Sequence, residues 1–331
     1  MPVASREVHL IARPNGMPRP EEFAIVERTV PDAGEGEIQV QNMYLSVDPA
    51  MRPRLSTVQP LNEAMAGGAI GRVVQSRHPS FAEGDVVQHG TSFCEYFVSD
   101  GRGVRKLQTD PALPVTVHLH ALGVSGFVAY GGLLEIGKLQ EGEQVFVSTA
   151  AGSVGSVAVQ VAKIKGCYVI GSTGSDEKCR WLKDDLGVDA AINYKTEPIR
   201  TALKEKAPKG IDVYFDNVGG DHLDAALPRM NSLGRIPVCG MISAYNNAGA
   251  ISSPVTTLSN IIYSRVTIRG FVAPDFMHLR EQFAAEMTGW LKDGRVKYRE
   301  TIHEGIENAP KALIGMLNGE NIGKMMVKLA E

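Results

Sequence analysis

The chain has 331 residues, of which 44% are apolar and 21% are charged, a composition that excludes a disordered, collagen-like or coiled-coil protein. Lysine and arginine number 34 against 37 aspartate and glutamate residues, and the resulting net charge of −3 argues against binding to the phosphate backbone of a nucleic acid. Because one hydrophobic core rarely serves a chain of this length, two domains are expected.

The sequence shows no sign of a membrane segment, a secretory signal or a metal site. No run reaches the roughly 18 apolar residues of a transmembrane helix. The stretch 1–13 contains Arg6, Glu7 and Arg13 where a secretory signal has an apolar core. The four cysteines are isolated, and the histidines lack metal-ligand spacing. We therefore expect a cytoplasmic protein with free thiols, no membrane partner and no metal.

The first 120 residues predict an irregular, mostly β region. Short runs rich in β-branched residues at 8–11, 36–42 and 68–74 are bounded by glycine and proline turns. A tight turn over 80–84 leads into a further strand. This region lacks the alternation of strands and helices that follows it.

From residue 120 onward, strands alternate with helices. Apolar strands are predicted at 144–149, 167–172, 190–193, 211–216, 235–240 and 267–272, with helices at 154–164, 176–186, 197–206 and 221–230. Strands that are apolar on both faces indicate a parallel sheet covered on both sides, so the pattern predicts an α/β fold with a doubly wound Rossmann domain. The strand-like end of the chain, at 323–329, is expected to rejoin the first domain. The predicted domains are therefore 1–120 with 298–331, and 121–297.

The most informative segment follows the first of these strands. Residues 150–155 read A-x-G-x-x-G between a predicted strand and a predicted helix, with Ala150 in the place of the usual first glycine. Gly152 lets the backbone approach a pyrophosphate, and Gly155 lets the helix pack against the strand. The alternative is a simple tight turn, but the strand–turn–helix context favours a dinucleotide-binding loop.

The end of the second strand bears on which dinucleotide is bound. An acidic residue there usually holds a free 2′-hydroxyl, but this chain has small uncharged residues at 171–175, followed by Lys178. A 2′-phosphate is attracted to an ammonium and repelled by a carboxylate, which favours NADP(H) over NAD(H). Alternatively, Asp176 and Lys178 are ordinary residues of a first helical turn, with Asp176 as a cap.

Seven motifs together carry a resemblance that covers essentially the whole chain. They are LSVDPAMR at 45–52, AAGSVG at 150–155, GSTGSDEK at 171–178, NYK at 193–195, FDNVGG at 215–220, CGMISAYN at 239–246 and NIGK at 321–324. On these motifs the chain resembles the zinc-independent medium-chain dehydrogenases/reductases, in particular the leukotriene/prostaglandin reductases and alkenal double-bond reductases.

The resemblance implies a homodimer in which each chain has two domains and a cleft between them. The first domain would be a GroES-like, irregular and partly open β-barrel that carries the catalytic role, and the second would be the NADP-binding Rossmann domain. The implied contacts to NADP(H) are Gly152, Ser153, Val154 and Gly155 to the pyrophosphate, Lys178 and Tyr194 to the 2′-phosphate, and Asn217, Cys239, Gly240, Met241, Ile242, Ser243, Tyr245, Phe271, Val272, Ala273 and Asn321 around the ribose and nicotinamide. The family often has an aromatic residue where this chain has Ala50, so the substrate cannot be carried over from its best-known members.

The zinc alcohol dehydrogenases share this architecture, but their metal ligands are missing here. Residues 46–48 contain no cysteine and residues 67–71 no histidine. Arg52 and Arg54 follow Asp48 and could form a positional salt bridge with it.

Reduction of a conjugated C=C bond needs orientation and a hydrogen-bond donor to the carbonyl oxygen on which negative charge develops. Tyr245 is the candidate catalytic donor, on the loop after the fifth strand. It could instead orient the nicotinamide ribose, with the proton coming from water. The predicted function is therefore NADPH-dependent reduction of α,β-unsaturated ketones and aldehydes. A quinone reductase and a non-catalytic NADPH-binding protein are the alternatives.

Overall fold

The computed structural model describes residues 1–91, 93–247 and 254–331. Over these ranges the chain divides into two compact units, Met1–Leu119 with Glu300–Glu331, and His120–Arg299. The predicted fold class is confirmed, because a parallel Rossmann sheet fills the second unit and the first unit is a separate sheet domain.

The first unit begins with an antiparallel hairpin of β1 (Val3–Leu10) and β2 (Phe23–Val30). The chain continues through β3 (Ile38–Val47), the short helix α1 (Met51–Ser56), β4 (Ala69–Ser76), β5 (Val86–His89), β6 (Tyr96–Ser99) and β7 (Arg105–Lys106). Alternation of buried and exposed residues is weak along β3, which pairs on both sides and is mostly buried.

The second unit alternates helices and strands. Its strands are β8 (Gln144–Val147), β9 (Tyr168–Thr173), β10 (Ala190–Asn193), β11 (Ile211–Phe215), β12 (Met230–Val238) and β13 (Thr267–Gly270). Its helices are α2 (Val124–Gly131), α3 (Ser153–Ile164), α4 (Asp176–Arg180), α5 (Ile199–Lys206), α6 (Gly220–Ala226), α7 (Asn260–Ser264) and α8 (Arg280–Lys292). The predicted helix 176–186 is thus α4 followed by a π-helical turn over Trp181–Asp185.

These six strands form one parallel sheet in the order β10-β9-β8-β11-β12-β13. The order reverses between β8 and β11, where the sheet winds first to one side and then to the other. In doubly wound sheets, ligands bind beyond the carboxyl ends of the strands at this switch point. A cofactor site is therefore expected at the loops that follow β8 and β11.

The end of the chain forms β14 (Glu300–Glu304), α9 (Ala309–Leu317) and β15 (Lys324–Lys328). β15 pairs antiparallel with β3, and the sheet order is β14-β15-β3-β4-β5-β7, with β6 also on β3. Met325, Met326 and Val327 are all buried, which makes β15 an internal strand of the first unit. The first unit is consequently assembled from both ends of the sequence.

The ion pair of Asp48 differs from the expected one. Its carboxylate binds the ammonium of Lys324, which is fully buried and also donates to the Val47 carbonyl at 3.0 Å. Arg52 donates instead to Ser56 Oγ at 2.7 Å and to the Gly16 carbonyl at 2.5 Å. Asp48 is therefore paired across the sheet with β15 and not with the helix that follows it, because β15 lies directly beside β3.

Candidate cofactor site

The loop between β8 and α3 has the geometry of a phosphate-binding turn. Gly152 caps α3 with extended backbone, and its N–H donates to the Thr149 carbonyl at 2.9 Å. A Cβ on Gly155 would lie 2.2 Å from that same carbonyl oxygen, so glycine is required for α3 to approach the end of β8 this closely. The twelve-residue helix then presents its unpaired first N–H groups and its positive dipole end at the loop.

Ala150 replaces the first glycine of the motif at no steric cost. Its N–H donates to the Ser172 carbonyl of β9 at 2.8 Å, which fastens the loop to the neighbouring strand. A Cβ on Gly171 would lie 2.7 Å from the Ala150 methyl group. Gly171 therefore supplies the space that Ala150 occupies.

The first turn of α3 is anchored within the second unit. The hydroxyl of Ser153 donates to Ser125 Oγ at 2.8 Å, and the Ser153 carbonyl lies 3.0 Å from Nε2 of the buried His120 ring. The pyrophosphate residues predicted from the sequence, Gly152 to Gly155, thus form the cap and the start of α3, which Ser153 anchors through both its hydroxyl and its carbonyl.

The end of β9 carries the groups expected near a 2′-phosphate. Ser175, and not Asp176, caps α4 by accepting from the Lys178 N–H at 3.3 Å. Asp176 instead accepts from the side-chain amide of Asn193 at 2.7 Å. Lys178 is half-buried. Burial lowers the pKa of its ammonium below the ordinary value, and the charge of Lys195 lowers it further.

Tyr194 follows β10, and its ring packs edge-to-face against the buried imidazole of His222. The two ring centroids are 5.2 Å apart and the rings are nearly perpendicular. Burial lowers the pKa of His222 from 6.5 to about 4, so the ring is neutral at physiological pH. The Tyr194 side chain remains 41% exposed, and its hydroxyl lies over Gly174.

A buried carboxylate organises the switch point. Oδ1 of Asp216 accepts from the Tyr214 hydroxyl at 2.6 Å and from the N–H groups of Val218 and Gly219, both at 2.8 Å. Burial raises the pKa of this carboxyl above its ordinary value, while these donors act in the opposite direction. The Ser148 hydroxyl adds a longer contact of 3.3 Å.

Asn217 is held by the end of β8. Its N–H donates to Ser148 Oγ at 2.9 Å, and its side-chain amide donates to the Ser148 carbonyl at 2.7 Å. The Asp216 carbonyl in turn accepts from the N–H groups of Cys239 and Gly240 after β12. Three neighbouring strand ends are therefore tied together at the residues predicted to surround the nicotinamide.

The loop 239–245 lies over the loop that begins at Asn217. The N–H of Ile242 donates to the Asn217 carbonyl at 3.2 Å, and Ser243 Oγ donates to the Val218 carbonyl at 2.6 Å. The Tyr245 hydroxyl accepts from the Met241 N–H at 3.4 Å. Burial raises the pKa of the Cys239 thiol to about 12, so this side chain is a packed thiol and not a nucleophile.

The remaining predicted residues lie in different surroundings. The Phe271 ring packs against Phe215 and Phe276, at centroid distances of 6.0 and 5.3 Å. Val272 is 60% exposed, and Ala273 begins a 3-10 turn. Asn321 belongs to the first unit, where its side-chain amide donates to the Gly323 carbonyl at 2.7 Å.

Sequence reasoning missed the contributions of Asp216, Lys195 and Gly174. The motifs at 215–220, 193–195 and 171–178 contain all three, but no local pattern shows that Asp216 is buried or that Lys195 approaches Lys178. Of the residues that the structure describes, no three His, Cys, Asp or Glu side chains come together as a metal site. None of the helices within the described ranges combines the length and apolar character needed to cross a bilayer.

The residues present fit a dinucleotide with a 2′-phosphate. The loop at 149–155 leaves no room for a side chain at position 155, and the start of α3 offers N–H donors to a phosphate. The end of β9 combines Lys178, Lys195 and the Tyr194 hydroxyl, while Asp176 is engaged by Asn193. A carboxylate positioned for a free 2′-hydroxyl would be the opposite arrangement.

Known proteins show the same combination of domains. The model of an N-terminal domain of oxidoreductases matches residues 6–107, and that of a zinc-binding dehydrogenase matches residues 153–292. The NADPH-dependent curcumin reductase of Escherichia coli is 40% identical, over 97% of this chain and 96% of its own. The NADP(+)-dependent 2-alkenal reductase of Nicotiana tabacum is 38% identical, over 99% of this chain and 98% of its own.

A solved structure agrees with these relatives. CurA from Vibrio vulnificus in complex with NADPH superposes with a TM-score of 0.92 at 39% identity, covering 98% of this chain and 99% of CurA. The prediction of NADP(H) as the cofactor is confirmed by these NADP(H)-dependent relatives and this NADPH complex. The chain therefore belongs to the zinc-independent medium-chain dehydrogenase/reductase family, a family of oxidoreductases.

Proposed function

We propose that this protein uses NADPH to reduce the conjugated C=C bond of α,β-unsaturated ketones and aldehydes. The observation that carries the proposal is the loop 239–245, which brings the Tyr245 phenol to the carboxyl end of the Rossmann sheet, beside Asn217. Support comes from the relatives named for curcumin and for 2-alkenals. In this proposal residues 121–297 bind the cofactor, and residues 1–120 with 298–331 form the catalytic, GroES-like domain.

The residues of the second unit divide the work of binding. The loop Gly152–Gly155, with the N–H groups at the start of α3, holds the pyrophosphate, and Lys178 with Tyr194 holds the 2′-phosphate. Asn217 and the loop 239–245 orient the nicotinamide end. When NADPH is bound it supplies the hydride, which reaches the β-carbon of the substrate. Charge then develops on the substrate's carbonyl oxygen, and a proton reaches the α-carbon.

Tyr245 is suited to stabilise that oxygen. Its hydroxyl already accepts the Met241 N–H at 3.4 Å, so its own hydrogen is left to donate to a substrate. A hydroxyl that accepts one hydrogen bond becomes a better donor for the next. One such donor at a developing oxyanion contributes about 2.7–4 kcal/mol, or a factor of about 10²–10³ in turnover. The proton for the α-carbon can come from this phenol or from water.

Turnover with a panel of substrates tests the proposal. Oxidation of NADPH is followed by its absorbance in the presence of 2-alkenals, enones, quinones and saturated aldehydes. Alkenals and enones should be reduced at the C=C bond, which product analysis by mass spectrometry and NMR confirms. Turnover of quinones alone would support a quinone reductase, and binding of NADPH without turnover of any compound would support a non-catalytic protein.

Replacement of the phenol tests the catalytic role. Tyr245→Phe should lower kcat about 10²–10³-fold, with little change in the Kd for NADPH. Tyr168→Phe is the matched control, because that half-buried tyrosine begins β9 and therefore lies at the amino end of the strand, away from the carboxyl ends where Tyr245 lies. Unchanged kcat together with a weaker Kd would instead assign Tyr245 to orienting the ribose.

We also propose that the protein acts as a homodimer in the cytoplasm. β13 is an edge strand of the Rossmann sheet, and exposed apolar residues on α7, which directly precedes it, include Ile262 at 74% exposure. Exposed sheet edges flanked by apolar groups favour pairing with a second chain. All four cysteines are free thiols, as suits a reducing compartment. Sedimentation should show a dimer that Ile262→Asp weakens, and a monomeric wild-type protein would refute the pairing.

A further inference from the structure

Gly174, in the turn after β9, has two polar side chains directly above its backbone. A Cβ at this position would lie 3.1 Å from the Tyr194 hydroxyl oxygen and 3.3 Å from Cε of Lys195. The Lys195 side chain and the Tyr194 hydroxyl therefore both reach the space next to the Gly174 backbone. A side chain at position 174 would push against both groups.

Positive charge accumulates at this turn. Burial lowers the pKa of the Lys178 ammonium, and the second contribution in the same direction is the positive charge of Lys195. An ammonium that is disfavoured by both burial and a second cation gains stability when an anion binds beside it. The two lysines thus act on each other although they are separated along the chain by a whole strand.

Among the neighbouring acids, Glu177 acts in the opposite direction on the pKa of Lys178, and the others are engaged elsewhere. Asp176 accepts a hydrogen bond from Asn193, and Glu197 is paired with Lys206. Throughout the described ranges, no ion pair joins Lys195 to a carboxylate. The side chain is exposed and its ammonium is available to a ligand.

We propose that Lys195 is a second cation for the 2′-phosphate of NADPH and thereby a determinant of cofactor specificity. A phosphate monoester carries between about one and a half and two negative charges at neutral pH, which one ammonium leaves uncompensated. Gly174 then has a specific role, because its missing side chain leaves room for both the Tyr194 hydroxyl and the Lys195 side chain next to the turn. The inference rests on the proposed contact of Lys178 and Tyr194 with the 2′-phosphate and adds residues to that site.

The test measures binding and does not depend on turnover. Calorimetric titration of the full chain with 2′,5′-ADP and with 5′-AMP isolates the contribution of the 2′-phosphate. Lys195→Ala should weaken 2′,5′-ADP by about tenfold, the worth of one charge-assisted contact at a partly solvated site, and leave 5′-AMP unchanged. Lys195→Arg should recover most of the loss, since the charge is kept. Lys204→Ala, an exposed lysine on α5, is the matched control and should bind both nucleotides as the wild type does.

The outcomes separate the role of Lys195 from the proposed 2′-phosphate site as a whole. If Lys178→Ala weakens 2′,5′-ADP while Lys195→Ala does not, Lys195 plays no part and NADPH remains the cofactor. An equal loss for 2′,5′-ADP and 5′-AMP in Lys195→Ala would also overturn the inference, because it indicates a structural effect. If the wild type binds 2′,5′-ADP no more tightly than 5′-AMP, both the inference and the NADPH assignment fail.

Discussion

The hydrogen bond between Tyr214 and Asp216 offers a sharp test of how the switch point is held together. Both side chains are fully buried, and the phenol donates to Oδ1 at 2.6 Å. Tyr214→Phe keeps the ring, which stacks on Phe146 at 4.7 Å, and removes only the hydroxyl. The substitution therefore removes one donor to a buried carboxylate that also orients the loop carrying Asn217, together with the longer contact of the phenol to Ser148 Oγ at 3.2 Å.

The expected cost depends on pH. A hydrogen bond to a charged group contributes about 1.5–3 kcal/mol to stability and a neutral one about 0.5–1.5 kcal/mol. Burial raises the pKa of Asp216 above 3.8, whereas the Tyr214 hydroxyl favours the ionised form. Without that hydroxyl, the pKa rises further. An acid whose pKa is higher in the folded than in the unfolded protein contributes stability at pH values below its unfolded-state pKa. That stability is lost as the pH rises through its folded-state pKa. The loss caused by Tyr214→Phe should accordingly grow with pH, by about 1 kcal/mol between about pH 4 and about pH 8.

Urea unfolding at the two pH values measures this difference directly. Tyr168→Phe on β9, a half-buried tyrosine, is the matched control and should change the free energy of unfolding by less than about 0.5 kcal/mol at either pH. A destabilisation by Tyr214→Phe that is the same at both pH values would show that Asp216 does not change its ionisation state between them in the folded protein. No destabilisation at all would refute the view that this bond holds the site together.

Three further substitutions probe the site. Gly155→Ala places a Cβ 2.2 Å from the Thr149 carbonyl oxygen, and it should lower the free energy of unfolding by about 1–3 kcal/mol and weaken NADPH binding. Lys178→Ala should weaken NADPH by about 1.5–3 kcal/mol in titration calorimetry and leave NADH nearly unaffected. The neutral ring of His222 should make folding acid-sensitive. Its pKa is lowered from 6.5 to about 4, so stability of about 3 kcal/mol is lost as the pH falls through this range, and His222→Gln should remove that loss in acid titrations.

A control variant or a contradicting outcome accompanies each of these three substitutions. Gly289→Ala on α8 meets no atom within 4 Å and should raise stability by about 0.5–1 kcal/mol, in contrast to Gly155→Ala. An equal loss of NADPH and NADH affinity in Lys178→Ala would contradict the contact with the 2′-phosphate. For His222→Gln, an acid transition identical to that of the wild type would place the titrating group elsewhere, with His89 as the next candidate.

Local patterns in the sequence were enough for the architecture of the second unit. Strand 144–149, the A-x-G-x-x-G turn and the following helix are close to β8, the turn at Gly152 and α3, because each depends on contacts between residues a few positions apart. The uncharged end of β9 with Lys178 likewise indicated the cofactor from neighbouring residues. Periodicity of apolar residues and the needs of a tight turn are encoded at this range.

Other parts of the site follow from which strands lie side by side. The sequence favoured Arg52 or Arg54 as partner of Asp48, but β15 lies beside β3 and brings in Lys324 from the far end of the chain. The approach of Lys195 to Gly174 depends on β10 pairing with β9. Burial of Asp216 depends on its position between β8 and β12. The sequence by itself thus determined the elements and the phosphate loop, whereas tertiary structure decided these pairings, because strand order and register set the distances between residues far apart in the chain.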